Sequence, residues 1–181
     1  MTRSFSVGPL VEEEFVDEFG FVWHSSPYEK TSWIVRRPFS DEKTAINFTE
    51  NLIKKYKNQI NEIKENRDGF REKYYKEFFK IKSLIGETVY VIANQGTGLD
   101  TIRYYLGLEF FSYIYADKPE LISEFLEIYT DLQVLICETI ADRNLSPVVF
   151  TYGDIAYKNK LIHSPQFYIP TILIEKNSIG S

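Results

Sequence analysis

The stretch "VVFTYGDIAYKNKLIHSP", Val148 to Pro165, carries the first decision about fold. An apolar, β-branched run ends in Tyr152, Gly153 and Asp154. A polar segment follows, and Ser164-Pro165 has the form of a helix start. A short apolar run closed by a turn signal reads as a buried strand. The aspartate then stands at the carboxyl end of that strand, the side on which parallel α/β folds bind ligands. The plainer alternative makes Asp154 a turn cap or a partner of Lys158.

Working upstream, "ETVYVIANQGTG", Glu87 to Gly98, has the same form: an apolar run entering a glycine-containing turn. Two helical patterns separate the runs. The first carries Ile102, Tyr105 and Leu106, with a break near Gly107. The second places Leu121, Phe125, Ile128, Leu132, Leu135 and Thr139 on one stripe ending near Arg143, with Asp117 as a cap and Pro119 in the first turn. Strands joined by helical crossovers pair in parallel, so the expected fold class is α/β. Two strand ends become candidate sites. One is Asn94, Gln95, Gly96, Thr97 and Gly98. The other is Tyr152, Gly153 and Asp154, with Tyr157, Lys158 and His163 beyond.

The first half is less regular. Residues 10–40 hold two β-prone runs, "EFGFVWHS" and "TSWIVRRP", around the turn-like "SSPYEK", and a hairpin is expected. Ser40 reads as an N-cap. Ile46, Leu52, Ile53, Tyr56, Ile60 and Ile63 predict a helix over 41–65. "NRDGF" interrupts it, and Phe70, Tyr74, Phe78, Ile81 and Leu84 predict a second over 70–85, ended by Gly86. The organisation is one domain over 1–181: a β-prone segment at 10–40, a helical segment at 41–86 and βα units at 87–177.

The totals narrow the function classes. At 181 residues, 44% of them hydrophobic, the chain can bury one core. A net charge of -5 gives no electrostatic reason to expect nucleic acid or an anionic membrane as partner. No apolar stretch is long enough to span a bilayer, and "MTRSFSVGPLVEEEF" lacks the core of a signal peptide, so the cytoplasm is the expected compartment. With one cysteine, Cys137, and two histidines, His24 and His163, no metal site is expected. Cys137 reads as a small buried hydrophobe in a helix. "NQGTGLD" is not a phosphate-binding loop, because no Gly-Lys-Ser/Thr follows.

Three stretches together resemble the uroporphyrinogen decarboxylase (URO-D) superfamily: "VDEFGFVW" (Val16–Trp23), "GTGLDTIRYYLGLEFFSYIYADKPELISEFLE" (Gly96–Glu127) and "YGDIAYKNKLIHSPQFY" (Tyr152–Tyr168). The resemblance runs from about Val16 to Tyr168 and rests on order and spacing rather than one motif. It implies a (β/α)8 TIM-type barrel, here only a partial one lacking the first strands and the last part, with its site at the carboxyl face. Its open strand edges would then be covered by the Val11–Pro38 segment or by another chain.

The resemblance implies a lyase removing carboxyl groups from acetate side chains of a tetrapyrrole in porphyrin biosynthesis, or a corrinoid-linked methyltransferase. By position it carries over Gln95, Gly96, Tyr152, Asp154 and Lys158 as substrate-binding residues. The decarboxylase's essential aspartate and arginine-rich segment, and the methyltransferases' zinc ligands, find no match, so no catalytic residue is assigned. No cofactor is expected in the chain itself, and a corrinoid is the partner on the methyltransferase branch. The expected ligand is a tetrapyrrole or a corrinoid-bound small molecule, and a homo-oligomer is compatible with this reading. The competing expectation is a non-catalytic fragment or binding remnant that assembles through open strand edges.

Overall fold

The computed structural model describes residues 12–29, 31–85, 94–145, 150–153, 156–157, 160–164 and 167. An antiparallel sheet comes first: β1 (Glu13–Val16), β2 (Val22–Ser26) and β3 (Thr31–Arg36), in the order β1-β2-β3. The first turn is built by one side chain. Asp17 Oδ1 accepts from the backbone N–H of Phe19 at 2.9 Å and of Phe21 at 3.0 Å, and Oδ2 accepts from Trp23 Nε1 at 2.8 Å. The "DEFGFVW" segment is thus a self-satisfied turn that pins an indole into the core.

Helix α1 (Glu42–Glu65) follows and buries Ala45, Thr49, Leu52, Ile53, Tyr56, Ile60 and Ile63 on one face. Its cap is Asp41, not the expected Ser40. The Asp41 carboxylate accepts from Thr44 N–H at 2.9 Å while Asp41 N–H donates to Thr44 Oγ1 at 3.3 Å, a reciprocal box that Ser40 with Lys43 cannot form. Helix α2 (Arg67–Ile85) restarts after Asn66. It is tied to the end of α4 (Pro119–Ile140), where Arg71 Nε donates to the Thr139 carbonyl at 2.7 Å and Tyr75 Oη to that of Ile140 at 3.1 Å. Those bonds satisfy carbonyls that a helix end otherwise leaves open.

Helix α3 (Gly98–Asp117) breaks at Gly107, whose φ of 74° and ψ of 163° are not helical. Arg37, just after β3, fills the break: its Nε donates to the Tyr105 carbonyl at 2.9 Å and its Nη2 to that of Tyr104 at 3.4 Å. The capping of α4 also differs from expectation. Lys118, not Asp117, is the N-cap and supplies no side-chain bond, while Pro119 does occupy the first turn.

The core is made by helices packing on helices. α1, α2 and α3 each pack on α4, and one cluster joins Ile53, Ile60, Ile102, Ile114, Ile122 and Phe125 to Phe21, Trp23 and Phe39 from the sheet and its exit. This overturns the expected α/β class and the partial (β/α)8 barrel. Among the described residues the only parallel pairing is between β4 (Asn94–Gly96) and β5 (Phe150–Tyr152), each three residues long; the β1–β2, β2–β3 and β6–β7 pairings are antiparallel. The physical reason is that the broad apolar faces of α1, α3 and α4 satisfy one another and need no central sheet to cover. Among the described residues the sheet of β1 to β3 stands separate from β4–β5, and those of the Val11–Pro38 segment add no strand to that pair. A last two-stranded piece joins β6 (Ala156–Tyr157) to β7 (Lys160–Leu161). The expected strand at Val89–Ala93 and the C-terminal residues after Tyr168 lie outside the described residues.

Candidate functional site

The parallel pair sets the site. Its register is Asn94 with Phe150, Gln95 with Thr151 and Gly96 with Tyr152. Three of the residues singled out in the sequence, Gln95, Gly96 and Tyr152, therefore lie at adjacent strand ends. Gln95 and Gly96 stand within β4 itself, where the sequence placed a turn beyond a strand. Asp154 and Lys158 lie outside the described residues.

Just past β4, Thr97 becomes the N-cap of α3, its Oγ1 accepting from Asp100 N–H at 3.3 Å. Just past β5, Gly153 comes so close to this cap that a Cβ there would lie 2.7 Å from Thr97 Oγ1 and Cγ2 and 3.0 Å from Asp100 Oδ2. Only glycine fits against the cap without a shift. Gly153 thus presses the end of one strand onto the helix that leaves the other.

Behind the cap sits a polar cluster that the sequence reading did not assemble. Asp100 and Arg103 form an ion pair in which Arg103 is buried and Asp100 partly so. His163 lies on aromatic rings, its centroid 4.2 Å from that of Phe167 and 5.5 Å from that of Phe111. Burial, and then the nearby Arg103 charge, hold the His163 imidazole below its usual value, so it is neutral at pH 7. The Ser164 hydroxyl and carbonyl both accept from Phe167 N–H, at 3.3 Å and 3.0 Å, and fix the turn that brings Phe167 onto His163. The Thr-x-x-Asp spacing of Thr97 and Asp100 was the available sequence signal for this cap. His163 was placed in the loop beyond the second strand end, but nothing local paired it with Asp100 and Arg103.

Chemically, the arrangement offers the positive end of α3 and a neutral imidazole beside two parallel strand ends, with the Arg103 charge already matched by the Asp100 carboxylate in the first turn of α3. Among the described residues no group of three His, Cys, Asp or Glu side chains is placed to hold a metal ion, and no helix is long and apolar enough to cross a membrane. Cys137 lies against Phe78 and Ile140, and burial pushes its thiol up. Comparison with protein-family models, with curated proteins and with solved structures finds no match to this chain.

Proposed function

We infer that the chain binds a tetrapyrrole, or serves corrinoid-linked methyl transfer, at the carboxyl ends of β4 and β5. The resemblance to the uroporphyrinogen decarboxylase superfamily supplies the ligand class. The parallel pairing that sets Gln95 and Gly96 beside Tyr152 carries the location. Ligands of parallel strands collect where the strands end, and these ends meet at a helix N-terminus. Acetate-bearing tetrapyrroles are polyanions, and the α3 N-terminus is a counterpart for one carboxylate. Asp154, one residue beyond Gly153, is the group to orient a pyrrole N–H or a cation.

The test is a titration of the full chain with uroporphyrin and, separately, with methylcobalamin, followed by ligand absorbance and tryptophan quenching. Saturable binding of one of them, weakened at least tenfold in Gln95→Ala and in Asp154→Asn, is the expected result. Asp154→Asn should shift stability by no more than about 1 kcal/mol, the scale of an ordinary surface change. Failure of both ligands to bind the folded chain removes the reading. Binding untouched by Asp154→Asn, with stability lost by several kcal/mol, makes Asp154 a structural cap instead.

A further inference from the structure

Two exposed apolar faces of opposite charge lie on separate elements of this chain. The first belongs to β1, an edge strand that among the described residues has a neighbour on one side only. It exposes Phe15 at 43% and Val16 at 64%, large values for apolar side chains in a sheet. The segment 12–18 contains Glu12, Glu13, Glu14, Asp17 and Glu18 and no basic residue. Asp17 is spent on its turn and Glu18 pairs with Lys55, while Glu12, Glu13 and Glu14 line the strand, with His24 3.6 Å from Glu12 and 3.9 Å from Glu14.

The second face belongs to α2, which exposes Phe79 at 48% and Leu84 at 79%. That helix carries Arg67, Arg71, Lys73, Lys76, Lys80 and Lys82 against Asp68, Glu72 and Glu77. Lys76, Phe79, Lys80 and Ser83 recur at helical spacing, so the exposed phenylalanine is flanked by ammonium groups.

We propose that the α2 face of one copy docks on the β1 edge of a second copy. The occupant follows from charge complementarity: a strand edge lined by glutamates attracts a lysine-flanked apolar helix, and the chain supplies that helix itself. Covering an edge strand with a helix is a common way to remove its pairing hazard. Lysine ammonium groups can also donate to the edge carbonyls. Carboxylates opposing carboxylates argue against β1 pairing with the β1 of a second copy. Because the two faces differ, the contact is head-to-tail, and a bound pair leaves one β1 and one α2 open unless a ring closes.

The test is sedimentation of the full chain across ionic strength, where the screening length falls from about 30 Å at 0.01 M salt to about 3 Å at 1 M. Average mass should exceed that of the 21.3 kDa monomer at low salt and fall toward it as salt rises. Glu13→Lys with Glu14→Lys should abolish association, as should Lys76→Glu with Lys80→Glu, each variant retaining the wild-type circular dichroism spectrum. Mixing the two variants opposes a cationic face to an acidic one at both contacts between unlike copies, so the mixture should associate although neither variant does so alone. Combining all four changes in one chain swaps both signs and should restore association. A wild-type chain that remains monomeric at low salt, or association that survives either charge reversal, overturns the proposal. Association abolished by the β1 change but indifferent to the α2 change assigns the edge to another occupant and equally overturns it.

Discussion

Gly107 and Asp17 show how much single residues decide here. At Gly107 the backbone adopts a conformation with positive φ and extended ψ, and a Cβ would lie 3.1 Å from the Arg37 guanidinium that satisfies the broken helix. Gly107→Ala should cost about 1–3 kcal/mol, the range for a non-glycine residue forced into that region, read as a lowered urea midpoint with unchanged slope. Asp17 holds three donors at once. Asp17→Ala should cost about 2 kcal/mol or more, because two backbone N–H groups and an indole N–H lose their acceptor together. His163 gives a pH signature. Its folded value lies below its unfolded one, so the unfolded chain takes up the proton first as pH falls. Its contribution is present above its usual value near 6.5 and is lost as pH drops through and below it. Wild type should lose more stability than His163→Gln between neutral pH and pH 5, measured by thermal melts in matched buffers. Equal slopes would show that His163 titrates alike in both states.

The elements differ in how openly the sequence announces them. α1 was legible along nearly its whole length, because Leu52, Ile53, Tyr56, Ile60 and Ile63 repeat the period of the face they bury. Its start was off by one residue, since the cap is chosen by reciprocity: Asp41 has a hydroxyl three residues on and Ser40 does not. The hydrogen bonds from Thr44, backbone first and then side chain, hold the Asp41 carboxyl below its usual value. The cap therefore contributes above that value and fades as pH falls through it. Asp41→Ala should lower Tm at pH 7, and the gap from wild type should narrow as pH falls below the ordinary carboxylate range; a gap constant with pH would mean that charge plays no part. β4 was illegible in a different way. Asn94, Gln95 and Gly96 have no strand propensity of their own, and their extended form is fixed by pairing with Phe150–Tyr152. The β4–β5 register does bring Gln95, Gly96 and Tyr152 to adjacent strand ends, because that juxtaposition depends on the order of elements rather than on their exact bounds. The Asp100–Arg103–His163 cluster was missed because an i, i+3 ion pair looks like any solvated helix surface until the tertiary fold buries it.

For the molecule as a whole, periodicity identified helices but not their packing partners. Apolar stripes on α1, α3 and α4 fit equally a ring of helices around a sheet or a core of helices alone, and the second is what forms. What decides it is contact: Phe125, fully buried, stacks near Tyr129 and Tyr56, tying α4 to α1, while Phe21 lies 5.2 Å from Tyr105 and ties the sheet to α3. If sheet and helices share one core, they should unfold together. The chain has two tryptophans, Trp23 in the core and Trp33 exposed at 37%, so Trp33→Phe leaves Trp23 as the sole fluorescent reporter on the sheet. Helical circular dichroism reports on the rest. In that background the two denaturation curves should coincide. Adding Phe125→Ala, a change on α4 that the sheet never touches by sequence, should shift both by the same amount, about 3–5 kcal/mol for a buried phenylalanine. A fluorescence transition that stays in place while the helical signal moves would show that the antiparallel sheet folds as a unit of its own. The shared cluster of Phe21, Trp23 and Phe39 with the helices would then be a docking contact between two units rather than a common core.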